Sequence, residues 1–100
     1  VTEGQSDVEI EREFGLSHSD FFRIFPRIEP DWRETGPLSV EVRRADGRRL
    51  EIELSTEHVR KLGMLRIPYI DITFRFSGWS EDQRAEFFDH FDRSFQKGGG

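Results

Sequence analysis

The chain has 100 residues, 34% of them hydrophobic and ten of them Phe, which suits one domain built on an aromatic core. It contains no Cys, which excludes disulfides, thiolate zinc sites and Cys nucleophiles together. The net charge of −5 divides as −5 over residues 1–37, +2 over 38–68 and −2 over 69–100, so the strongly basic balance of a general nucleic-acid binder is absent.

Residues 1–7 are polar and unpatterned, and they are expected as a flexible segment ahead of a single domain over 8–96. Residues 8–14 alternate. Val8, Ile10, Arg12 and Phe14 share one side and Glu9, Glu11 and Glu13 the other, which predicts a strand. Ser17 followed by Asp20 reads as a helix start. Phe21, Ile24, Phe25 and Ile28 form an apolar stripe behind it. Pro26 cannot donate a backbone N–H, so the regular helix is predicted over 18–25 with a looser turn after it. The Pro, Gly and Asp content of residues 29–37 predicts a loop.

Residues 38–54 read as a hairpin. Leu38, Val40 and Val42 must share a face with Leu50, Ile52 and Leu54. A three-residue loop, Ala45-Asp46-Gly47, meets that demand by pairing Val42 with Leu50, and it puts Gly47 where a left-handed residue is needed. Ser55 or Thr56 offers a cap and Gly63 a stop, which predicts a short helix near 56–62. Ile70, Ile72, Phe74 and Phe76 alternate with polar neighbours and predict another strand, which Leu65 and Ile67 either extend or precede as a separate short one. Ser80 with Gln83 is a capping box, and Phe87, Phe88, Phe91 and Phe95 stripe the helix that follows, to an expected end near Gln96. Residues 97–100 are expected as a flexible Gly tail.

These elements give the order β-α-β-β-(α)-β-α. The predicted fold is α+β: a two-layer domain with an antiparallel sheet of about four strands and helices packed on one face. The order of elements resembles a half-unit of the TATA-binding-protein kind or a reduced helix-grip fold, a likeness of order alone that carries no function.

Candidate chemistry is sparse. His18 and Asp20 lie at a polar helix start, where capping is the expected role, and no third ligand sits at a helpful spacing. His58 and His90 are isolated. Asp89, His90 and Asp92 do not converge on one helical face. No Gly-rich phosphate loop or nucleophile motif is present, so no catalytic residue, metal site or cofactor is expected. Arg43, Arg44, Arg48 and Arg49 cluster at the hairpin turn and are the candidate contact for a protein partner or an anion. Phe22, Arg23 and Arg27 are a candidate hydrophobic and basic contact beside the first helix stripe. The open sheet face is expected to carry Glu9, Glu11, Glu13, Glu41, Glu51, Glu53 and Asp71 against only Arg43 and Arg75, which disfavours nucleic acid.

No apolar run approaches the ~20 residues of a membrane span, and the expected location is the cytoplasm. The expected function is a small, soluble, non-catalytic module that binds another protein through charged surfaces, with a homodimer through an exposed strand edge as one form. Two alternatives stand beside it. One is a carrier or enzyme holding an apolar or anionic small ligand between sheet and helices. The other is nucleic-acid binding through the Arg-rich turn.

Overall fold

The computed structural model describes residues 7–99, with side chains as far as Phe95. Eight elements follow one another: β1 (Val8–Phe14), α1 (His18–Ile28), β2 (Trp32–Gly36), β3 (Ser39–Arg43), β4 (Arg49–Leu54), β5 (His58–Leu62), β6 (Leu65–Ser77) and α2 (Glu81–Gly99). The fold is α+β, as expected. The antiparallel sheet has six strands rather than about four, in the order β1-β6-β4-β3-β2, with β5 paired to β6 alone.

The alternating segments fold as their period dictates. Val8 faces Phe76, Ile52 faces Phe74 and Val42 faces Leu50 across the strand pairs. The β3–β4 turn closes over Ala45-Asp46-Gly47. The Arg44 N–H donates to the Arg48 carbonyl at 2.9 Å, and Gly47 takes φ +97°. Val40, Val42, Leu50, Ile52, Ile70, Ile72, Phe74 and Phe76 are buried on one face of the sheet.

Helices α1 and α2 cover that face. Both begin with reciprocal caps. The Asp20 N–H donates to Ser17 Oγ at 3.1 Å, and the Gln83 N–H donates to Ser80 Oγ at 3.1 Å. Phe21 stacks on Phe95 at 5.7 Å and Phe25 meets Phe91 at 6.4 Å, so the two stripes join over the sheet. Phe91 also lies 5.4 Å from Phe74. A fully buried Phe contributes about 1.5–3 kcal/mol, so these rings are a large part of what holds the layers together.

Four expectations are corrected. Helix α1 continues through Pro26 to Ile28. Pro26 gives no N–H to the Phe22 carbonyl, but the Glu29 N–H donates to the Phe25 carbonyl at 3.1 Å and closes the last turn. Residues 32–36 are the edge strand β2, anchored by Trp32, whose ring meets Phe25 at 6.4 Å. Residues 58–62 are a strand and not a helix. Gly63 does adopt a left-handed conformation, φ +60°, but it serves a two-residue hairpin loop with Met64. Leu65 and Ile67 extend β6 directly. Helix α2 runs to Gly99, past the expected end at Gln96, because Gly weakens a helix without breaking it. Residues 1–6 and Gly100, expected as flexible, lie outside the described residues.

Candidate functional site

The Arg-rich turn is assembled as the sequence implied, but its charges are already matched. Arg44 forms a bidentate pair with the buried Glu29 and reaches Asp31 at 3.5 Å. The Glu29 carboxylate thereby holds the Arg44 guanidinium above its usual pKa. Arg48 donates to Asp46 at 2.9 Å. Both guanidiniums lie over the Trp79 ring, Arg44 at 5.3 Å and Arg48 at 4.7 Å. Arg43 and Arg49, opposite each other across β3 and β4, share Glu41 with Arg33. A shallow cleft of about 310 Å³ remains, lined by Arg43, Arg44, Gly47, Arg48, Arg49 and Ser77.

The second candidate contact disperses. Phe22 is half-buried with its ring 5.2 Å from Phe21. Arg23 pairs with Asp20 at 3.0 Å, and Arg27 is exposed in the last turn of α1. His18 ties elements together: its Nε2–H donates to the Ser55 carbonyl at 2.7 Å and its backbone N–H to Glu57 at 3.0 Å. His58 is exposed beside Tyr69 at 5.1 Å. His90 is exposed and borders a shallow cleft with Glu29, Arg44 and Trp79. Among the described residues no group of three His, Cys, Asp or Glu side chains is placed to hold a metal ion.

The open sheet face is better balanced than its alternation implied. The β2 strand, unforeseen in the sequence, brings Arg33 to Glu41, and Arg49 reaches the same carboxylate. Arg75 bridges Glu9 at 3.2 Å and Glu53 at 3.1 Å, and Arg60 reaches Glu13 at 3.0 Å.

The feature that sequence reasoning missed is a β-arm. Strand β4 pairs with the second half of β6, and after only three residues β5 pairs with the first half, from His58↔Tyr69 to Leu62↔Leu65. Strand β1 stops at Ile70, so residues 58–62 and 65–69 form a two-stranded ribbon that extends beyond the sheet. Every residue of β5 is exposed.

The exposed large hydrophobic side chains of the described residues all lie on this arm: Val59 at 52%, Leu62 at 56%, Met64 at 100% and Leu65 at 64%. Directly opposed residues share a face. Leu62 and Leu65 therefore occupy one face at the tip, and Lys61 and Arg66 occupy the other one rung behind. Like charges directly opposed destabilise a strand pair. Neither Lys61 nor Arg66 has an ion-pair partner among the described residues. Arg60, further back, is held by Glu13 and by the Tyr69 ring at 4.4 Å. The signal in the sequence was Leu-Gly-Met-Leu between two basic residues, a Gly-led hairpin turn that also reads as a helix stop.

No helix among the described residues is long and apolar enough to cross a membrane. Comparison with known protein families, with curated proteins and with solved structures gives no significant match.

Proposed function

We propose that this chain is a small non-catalytic docking module, and that its contact element is the β5–β6 arm rather than the Arg-rich turn. The observation that carries this reading is that, among the described residues, the large exposed apolar side chains are confined to residues 59–65. The body of the domain buries its aromatic residues between sheet and helices, whereas the arm leaves apolar and uncompensated cationic groups in water. Such a surface gains free energy only when something covers it.

The test is a photo-reactive Phe analogue placed singly at Met64, at Arg48 and at Glu11 in cells expressing the chain. Adducts to other macromolecules are expected from position 64 and not from the other two. Adducts from position 48 alone would move the contact to the turn, and no adduct from any position would sink the docking reading.

A second reading, an anion or nucleic-acid contact at the turn, is favoured by the cleft that Arg43, Arg44, Arg48, Arg49 and Ser77 line. It predicts binding that weakens with salt and is lost on Arg48→Glu with Arg49→Glu. Each of the four guanidiniums already has a carboxylate partner, which leaves that surface with little unmet charge.

A further inference from the structure

The arm's two chemistries identify what covers it. Leu62, Met64 and Leu65 need an apolar environment, and Lys61 and Arg66 need anions within a few ångströms of the same point. The two groups lie on opposite faces of the ribbon, one rung apart, with Met64 at the apex. A protein cleft would have to bury the tip on one wall and present carboxylates on the opposite wall. A bilayer meets both needs from every direction, because headgroups encircle any hairpin that dips between them.

We propose that the arm docks on an anionic lipid bilayer. Leu62, Met64 and Leu65 enter the acyl boundary, and Lys61 and Arg66 engage headgroup phosphates. This rests on the docking reading and names its partner. Interfacial amphipathic helices place apolar groups about 5–10 Å into the interface, and the tip is assigned the same depth. A rung of strand advances ~3.3 Å, so cations one rung behind the tip, with flexible stems, reach the phosphate level while the tip reaches the acyl chains.

The arm also answers the objection of net charge. The chain carries −5 overall, which an anionic surface repels. The five residues of β5 extend about 16 Å, whereas the screening length at physiological ionic strength is ~8 Å. With its tip about 5–10 Å into the interface, the arm holds the acidic body about one screening length from the surface, where the repulsion is already weakened. Arg60, on the arm, has already neutralised Glu13.

The test is sedimentation of the full chain with vesicles of phosphatidylcholine alone and of phosphatidylcholine with phosphatidylserine. The chain is expected to pellet with the mixed vesicles, less so at high salt, and not with phosphatidylcholine alone. Lys61→Gln with Arg66→Gln should weaken binding about 25-fold, at roughly fivefold per cation. Leu62→Ser with Met64→Ser and Leu65→Ser should weaken it at least tenfold, about the effect of withdrawing one large apolar side chain. Arg27→Gln with Arg93→Gln, which removes the same charge from exposed positions off the arm, should leave it unchanged. All variants are first matched to the wild type by thermal melt; the arm contributes nothing to the buried core, so the tip variants should melt normally.

Failure of the wild type to pellet with phosphatidylserine vesicles overturns the bilayer, as do tip variants that pellet like the wild type. Adducts from position 64 to protein and not to lipid would also overturn it while leaving the docking reading in place. Absence of any adduct removes both.

Discussion

Replacing Glu41 by Gln tests whether one buried carboxylate holds the outer face of the sheet together. Glu41 is 5% exposed, and its oxygens lie 3.2 Å from Arg43, 3.5 Å from Arg33 and 3.6 Å from Arg49. Arg43 and Arg49 are directly opposed, so loss of the carboxylate leaves two like charges facing each other. That repulsion costs about 0.2–1 kcal/mol. Removing one partner of a fully buried pair costs about 3–5 kcal/mol. Here the three Arg side chains are 47–66% exposed and can rehydrate, so the whole effect falls to about 1–2 kcal/mol. For a domain of this size that lowers Tm by roughly 5–15 °C. Urea denaturation should show the midpoint falling by about 1 M with an unchanged slope. A second substitution isolates the repulsion. Arg49→Gln should recover part of the loss in the Glu41→Gln background and should destabilise slightly in the wild type. A Glu41→Gln melt within about 1 °C of the wild type would refute the reasoning. So would an Arg49→Gln effect identical in both backgrounds.

Three other outcomes can be measured on the same material. Phe91→Ala should cost about 3–5 kcal/mol in urea unfolding, because Phe91 is fully buried against Phe14, Phe25, Phe74, Phe87 and Phe95; a loss below ~1 kcal/mol would mean that the ring stack is not central. Ser80→Ala should cost about 0.5–2 kcal/mol, since the hydroxyl accepts from the Gln83 N–H at the start of α2; near-zero change in thermal melts would discount the cap. The Arg23 guanidinium, with help from Ser17, holds Asp20 below the usual carboxylate value of 3.8. The ionised form therefore favours the folded state above the unfolded value, and that contribution is lost as pH falls through the lowered one. Asp20→Asn should melt below the wild type at neutral pH and converge with it in acid, and a gap that widens in acid would reverse the sign.

Most of the architecture was legible because burial and period coincide in it. Residues 50–54 and 70–76 alternate between buried and polar positions, residues 8–14 alternate between half-buried and exposed ones, and Ser80 with Gln83 marks α2 before its Phe stripe begins. The two missed strands lack that coupling. Strand β2 is an edge with one large anchor, Trp32, and it sits between Pro30 and Pro37, which read as loop. Strand β5 buries none of its residues, so pairing with β6 shapes it and no hydrophobic period can reveal it. Gly63 misled for a related reason, since a positive φ serves a helix end and a tight hairpin equally well. The four Arg of the turn could be found by eye. A salt-bridged turn could be expected as well, but its main partners could not, because Glu29 and Glu41 are brought to Arg43, Arg44 and Arg49 by the end of α1 and by the β2–β3–β4 pairing.

The position of β1 in the sheet bears on how the chain is made. Its one sheet partner is β6, so Val8 stays unpaired until Phe76 has been synthesised. At roughly 5–20 residues per second that wait is on the order of several seconds. Throughout it, residues 8–14 are an unpaired segment of strand pattern on a ribosome close to others making the same chain. Glu9, Glu11 and Glu13 line one side of that segment, and a row of like charge discourages two nascent copies from pairing edge to edge. The acids beside Val8, Ile10 and Phe14 thus protect the unfinished protein before two of them, Glu9 and Glu13, form ion pairs in the finished one.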